Sequence, residues 1–388
     1  MVSRSFAPLL FHPLRKEEIQ QKRTVIFVHG YYGSALRDAV SKKLHFFHPL
    51  KALLGKVALT LNPEEHHLPH APELEVHGVL GKIPVIPKLY SIDIYGSFLQ
   101  RMQTSDQLIP FAYDWRRDLF SNVQDFGRLI EELKDRKVPE ICVVAHSMGG
   151  LLTAYYLAYG RQNPKEAVLD WHGSQAISKA VFVGTPFQGA AKCLWDFGNG
   201  SKLPLYERYL GPELVSGFPG LYYVLPTPEA LLLDENRKDV SADVFAKDFF
   251  QNRNFPFVNS SLPESVRKKR LQFMKKSLAN AKIFSDCLHR DQGSTSPKKL
   301  KILNVEGIGR PTLTGLMIAN NPPQHEIFSM KKTMAAKELF IDGDDTVPLP
   351  SAHLPTMFKN AKIFQTKARH DQMLSDKVVQ EKIMDFLN

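Results

Sequence analysis

Cysteine is scarce in this 388-residue chain, limited to Cys142, Cys193 and Cys287. So sparse and odd a set argues against a disulfide framework and fits a reducing compartment. Long apolar runs are lacking too: 43% of the residues are hydrophobic, yet no stretch reaches the length of a membrane span. The amino end, "MVSRSFAPLLFHPLRKEE", carries only a short apolar patch from Phe6 to Phe11, broken by Pro8. It has neither the length nor the small-residue cleavage site of a secretory signal, and a cytoplasmic protein is expected. Cys/His spacing suited to zinc is missing. The His-rich "EEHHLPH" at 64–70 has no partner ligands in register, so neither metal nor cofactor is expected. A net charge of +10 comes without the signature of a nucleic-acid module. Internal repeats and low-complexity tracts are also absent, and the length suits one large domain with insertions or two domains.

What is present is an alternation of buried strands and helices. "RTVIFVHG" predicts a strand over 24–28. Further strands are predicted near 107–112, in "PEICVVAH", in "ISKAVFVGTP", in "KKLKILNVEG", in "KELFIDGDD" and in "NAKIFQTKARH". "NVQDFGRLIEELKDRK" has helical spacing through Val123, Phe126, Leu129, Ile130 and Leu133. "MGGLLTAYYLAYG" reads as a helix ended by Gly160, and a last helix runs from about Asp376 to Leu387. This order predicts an α/β fold with a mostly parallel central sheet and helices on both faces. Two stretches break the rhythm. The region 40–100 reads as irregular. Residues 191–298, rich in aromatics, proline and charge, read as a largely helical cap or lid insertion between core segments 20–190 and 299–388. Within it, "ESVRKKRLQFMKKSL" places Leu271, Met274 and Leu278 at helical spacing among Arg267, Lys268, Lys269, Arg270, Lys275 and Lys276. The basic run 267–276 is either a solvated helix face or a surface for an anionic membrane.

The chemistry is concentrated where strands end. In "VVAHSMGG" an apolar strand stops at Ser147, with small residues at minus two and plus two, Ala145 and Gly149. A serine on a sharp strand-to-helix turn projects its hydroxyl beyond the sheet, at the positive end of the next helix. Such a nucleophile needs oxyanion donors. Met148 N–H is one, and the loop "FVHGYYGS" offers Tyr32 N–H, with Tyr31 N–H as a close alternative. It also needs a base held by a carboxylate. "LFIDGDDTVPLPSA" offers Asp344, with Asp342 and Asp345 as turn residues. Only His353 and His370 follow it, and His353 comes too soon to return across the sheet. Ser147, Asp344 and His370 are therefore the candidate catalytic residues, while His146 reads as structural.

These motifs together resemble the lecithin:cholesterol acyltransferase family of α/β-hydrolases. "IPFAYDWRRD" is similar to its Tyr-Asp-Trp-Arg signature, and "YSIDIYGSFLQRM" upstream is similar too. "VHGYYGSAL" resembles the entry loop, with His29 where the family often has proline. "AHSMGG" resembles the nucleophile turn, "DGDDTVP" the acid loop and "FPGLYYVLP" a cap-region motif. Nothing in the chain resembles the lid disulfide of the secreted members. The resemblance implies an α/β-hydrolase fold and serine acyl chemistry on a lipid ester: an acyl-enzyme on Ser147, resolved by water or by a lipid hydroxyl. The alternatives are a soluble small-ester or thioester hydrolase and a non-catalytic lipid-binding relic.

Overall fold

Apolar residues alternate in side along the central strands, and this places the sheet between two layers of helix. The computed structural model describes residues 8–46, 59–61, 73–86, 90–202, 209–227, 231–290, 293–319 and 327–388. The His-rich segment 64–70 lies outside them. Strands β1 (Thr24–Val28), β2 (Gln107–Phe111), β3 (Ile141–His146), β4 (Lys179–Val183), β5 (Lys301–Gly307) and β6 (Lys362–Thr366) pair in the order β6-β5-β4-β3-β1-β2. Every pairing is parallel. Val25, Phe27, Val144, Val181 and Val305 face helices α1 (Gly96–Gln103) and α6 (Lys377–Leu387). The intervening Ile26, Val28, Val143, Ala145 and Phe182 face helices α2 (Leu119–Asp135) and α3 (Met148–Tyr159). With both faces covered, the strands can be continuous apolar runs.

Helix α3 is apolar all round and buried at every residue, so it needs cover on its outer side as well. A helix within 191–298, which we number α5 (Glu264–His289) after α4 (Ala191–Asn199), supplies it. Tyr155 stacks on Phe284 with centroids 4.5 Å apart, and the Tyr159 hydroxyl donates to the Cys287 carbonyl at 2.6 Å.

Two expectations need correction. The stretch 40–100 is not irregular throughout. Ser34–Asp38, Leu44–Phe46, Leu74–Ile86 and Tyr90–Asp93 join Leu9–Phe11 in a five-stranded antiparallel sheet. Gly78, Gly81 and Pro84, residue types that strands disfavour, hide the long strand's alternation. The strand predicted in "KELFIDGDD" does form, over Phe340–Gly343, but it lies outside the parallel sheet. It pairs antiparallel with Arg310–Leu313. That pair leans on the end of β5, where a Cβ on Gly307 would stand 2.2 Å from the Asp344 Cβ.

Three predicted site segments follow the carboxyl ends of parallel strands, where open α/β sheets bind ligands: 29–33 follows β1, Ser147 follows β3 and His370 follows β6, whereas Asp344 follows the antiparallel strand Phe340–Gly343. The Tyr-Asp-Trp-Arg segment braces them from β2. Arg116 and Asp114 form a buried bidentate pair, at 2.9 and 2.7 Å, and Arg116 also donates to the Leu59 carbonyl at 2.9 Å. Trp115 lies edge-on against Tyr31, Tyr32 and Phe218. Gly220 of "FPGLYYVLP" donates to the Arg116 carbonyl at 3.0 Å, where a side chain would meet the Trp115 carbonyl at 2.3 Å.

Candidate active site

The turn from β3 into α3 is tight enough to dictate its neighbours. Ser147 adopts φ 53° and ψ −128°, a conformation that L-residues avoid. Its amide donates to the Val183 carbonyl of β4 at 2.9 Å. The glycines around it, Gly149 among them as predicted, have steric reasons. A Cβ on Gly149 would come within 2.4 Å of the His29 carbonyl, and one on Gly30 within 2.8 Å of the Ser147 Cβ. Gly150 is restricted as well, since its Cβ would overlap the Thr185 hydroxyl at 1.9 Å.

Ser147, His370 and Asp344 meet as the sequence predicts. The Ser147 hydroxyl stands 3.0 Å from His370 Nε2, and His370 Nδ1 stands 2.7 Å from Asp344 Oδ2. Asp344 Oδ1 accepts the amides of Val347 at 2.6 Å and Thr346 at 2.9 Å. Burial works against the Asp344 carboxylate. The charge and hydrogen bond of His370 and the two amides outweigh it, so its pKa falls below the usual value. Burial likewise disfavours a charged His370, but Asp344 beside it, with Asp371 and Asp345, raises the imidazole pKa above its ordinary value. A hydroxyl bonded to a neutral imidazole, itself held by a carboxylate, can surrender its proton while attacking an ester carbonyl.

The residues set aside are engaged elsewhere. Asp342 accepts the Gly309 amide at 2.5 Å and its neighbour Gly343 at 3.0 Å, a turn role. Asp345 faces Arg369 at 3.8 Å. His353 Nδ1 lies 3.0 Å from Glu306.

A cavity of about 280 Å³ opens beside Ser147 and His370. Leu80, Ile83, Ile94, Leu221 and Val224 give it apolar walls. Met148, Tyr31 and Tyr32 line it as well. Met148 opens α3, so its amide has no acceptor within the helix. The positive φ in the entry loop falls on Tyr32, at 62°, rather than on a glycine. Gly30 and Gly33 are needed for close approach instead, since a Cβ on Gly33 would strike the His29 ring at 2.6 Å.

Sequence reasoning missed three residues here. Lys192 and Asp196 line the cavity from α4 and form an ion pair with each other. Burial raises the Asp196 pKa against the pull of Lys192. Their i,i+4 spacing was the available signal, inside a region read only by composition. Tyr95, within "YSIDIYG", bonds to His146 beside the serine, with its phenol oxygen 2.9 Å from Nδ1.

A parallel sheet carrying a serine on a strained strand-to-helix turn, with a carboxylate and a histidine on later loops, is the α/β-hydrolase arrangement. The family model for lecithin:cholesterol acyltransferase matches residues 94–378, and the chain belongs to that family. It is 27% identical over 254 residues to the uncharacterized protein YJR098C of Saccharomyces cerevisiae, covering 63% of this chain and 36% of that one. It is 22% identical over 306 residues to phospholipase A(1) LCAT3 of Arabidopsis thaliana, covering 72% and 65%. The chain thus spans under two-thirds of the length of either relative. Among solved structures, a chain of the Tle4-Tli4 complex shares the fold, with a TM-score of 0.60 at 13% identity over 95% of this chain and 98% of that one.

The raised His370 pKa fixes the direction of a pH effect. The imidazole must be neutral to take the serine proton, so kcat/KM on a short soluble ester should fall as pH drops through the His370 pKa. The acid limb should have its inflection above the ordinary histidine value. A limb at or below that value contradicts the electrostatics described.

Proposed function

We propose that this chain is a serine-dependent lipid acyl hydrolase or O-acyltransferase, with Ser147 as nucleophile, His370 as general base and Asp344 orienting the imidazole. The observation that carries the reading is the Ser147–His370–Asp344 contact at the mouth of a mainly apolar cavity. His370 takes the hydroxyl proton as Ser147 attacks the ester carbonyl, and the amides of Met148 and Tyr32 stabilise the resulting oxyanion. His370 then returns the proton to the leaving alcohol, which leaves an acyl-enzyme. Water or a second alcohol resolves it, and the triad serves both outcomes equally. At about 280 Å³ the cavity is just below the usual size range of ligand pockets. That suits one acyl chain threaded from a lipid whose remainder stays outside. Family membership and the phospholipase relative support a lipid ester over a small soluble ester.

In this reading residues 191–298 cap the core of 20–190 and 299–388, in keeping with Lys192, Cys193, Leu221 and Val224 lining the cavity. The protein would act in the cytoplasm at anionic membrane surfaces, in keeping with three free cysteines. The basic run needs one revision. Arg270 does not face a surface: it is buried against Glu213 at 2.8 Å and lies over the Phe257 ring. Within the run 267–276 the exposed cations are Lys268, Lys269, Lys275 and Lys276, and Arg267 is half-buried. Lys269, Lys275 and Lys276 share an open groove with Lys165.

Incubation of the wild type and Ser147→Ala with a total lipid extract, with and without added long-chain alcohol, tests the chemistry by mass spectrometry. Wild type should release fatty acid or form new esters, and the variant should do neither. Lipid turnover by Ser147→Ala refutes the assignment. Turnover of short esters alone favours the small-ester hydrolase. Changing Lys268, Lys269, Lys275 and Lys276 to glutamate should weaken binding to phosphatidylserine vesicles by roughly tenfold or more, most clearly at low salt. The rate on a short soluble ester should hold. Vesicle binding indifferent to both charge and salt leaves α5 with no membrane role.

A further inference from the structure

We propose that Tyr95 and His146 are positioning residues, forming a hydrogen-bonded strut that fixes the loop carrying the Tyr32 amide against the backbone of His370. The inference rests on the assignment of Ser147 as the nucleophile. Tyr95 is buried immediately before α1. Its phenol oxygen accepts the Gly30 amide at 3.1 Å and stands 2.9 Å from His146 Nδ1. On the far side of the ring, His146 Nε2 lies 3.1 Å from the His370 carbonyl.

Only one proton order satisfies the chain. The His370 carbonyl can only accept, so Nε2 carries the His146 proton. Nδ1 then presents a lone pair and accepts the Tyr95 hydroxyl, whose oxygen is free to accept the Gly30 N–H. The order requires a neutral imidazole. Burial, together with the nearby charge of His370, pushes the His146 pKa down to about 3.

The strut closes a frame around the reacting atoms. The His370 amide donates to the Asp344 carbonyl at 3.0 Å, so both peptide groups of His370 are held. Gly30 is held on both sides too. Its carbonyl lies 2.8 Å from His29 Nδ1, and His29 Nε2 accepts the Tyr113 amide at 3.2 Å. The His29 and Tyr113 rings stack with centroids 4.1 Å apart. Two histidines outside the triad therefore clamp the entry loop, one of them also tying it to the segment that aims the base. Oxyanion donors stabilise a transition state only if they are set before charge develops. Loosening the strut should therefore act on kcat, while the apolar walls that hold the acyl chain, and hence KM, change little.

Packing alone could also explain buried aromatic rings here, since Tyr95 packs edge-on against Phe27. Substitutions separate the two roles. Tyr95→Phe keeps the ring and removes only the hydroxyl. His146→Phe keeps bulk and loses both hydrogen bonds, whereas His146→Gln keeps an amide N–H for the His370 carbonyl and an amide oxygen for Tyr95. On a short soluble ester, Tyr95→Phe and His146→Phe should each lower kcat by about tenfold with KM within about twofold. His146→Gln should recover most of that loss. The double variant Tyr95→Phe/His146→Phe should be little worse than either single one, because one strut is broken once. Melting temperatures within a few degrees of wild type would establish folding. Wild-type kcat in Tyr95→Phe, additive losses, or His146→Phe equal to His146→Gln overturns the strut. If His146→Phe does not fold, Tyr95→Phe against wild type decides. Ser147→Ala in the same assay should be inactive; activity there would bring down the nucleophile assignment, separately from the strut.

Discussion

At Ser147 the backbone is forced to φ 53° and ψ −128°, a conformation costing a side-chain-bearing residue about 1–3 kcal/mol. The rest of the site is built around that turn. It lifts the hydroxyl off the end of β3 and starts α3 at once, bringing the helix onto the neighbouring loop. Gly149 then lies against the His29 carbonyl and Gly150 against Thr185, with no room for a Cβ at either. Because α3 begins so close to the sheet, it is sealed on all sides, and the long α5 covers what the sheet does not. The strain is offset by a core in which both faces of a six-stranded sheet are buried.

The same geometry determines the electrostatics. Parallel strands bring the loops after β1, β3 and β6 to one edge, although Ser147 and His370 are far apart in the chain. Asp344 is buried yet accepts three hydrogen bonds, from His370, Thr346 and Val347. An unpaired carboxylate in that position would be costly. Here its charge is directed at a single imidazole. His146 and His29, although equally enclosed, are held near backbone groups instead, and burial pushes both pKa values down, to about 3 and about 4. Three histidines in one small volume thus divide into one whose pKa is raised by neighbouring carboxylates and two whose pKa values are lowered by burial.

Much of this was legible in the sequence, for physical reasons. Buried parallel strands are short apolar runs bounded by glycine and polar residues, so β1, β3 and β4 stood out. That Ser147, Asp344 and His370 meet was legible because chain order and the ends of strands restrict which Asp and His can reach Ser147. The antiparallel sheet was hidden: Gly78, Gly81 and Pro84 break the alternation of its longest strand, Leu74–Ile86. The role of Arg270 was also hidden. Its neighbours are exposed lysines, and only the fold reveals that its own position on α5 turns inward to Glu213 and Phe257. Lys192 carried no motif of its own, and the segment holding Tyr95 was legible only as similar to the family. Their part in the site depends on which segments the topology brings together.

In the proposed function, the strained turn makes one hydroxyl, that of Ser147, reactive through His370. Incubation with a fluorophosphonate, followed by peptide mapping of the adduct, tests this most directly. A single phosphonyl adduct on Ser147 is expected, with His370→Ala sharply slowing its formation. An adduct on another residue, or labelling indifferent to His370, would contradict it.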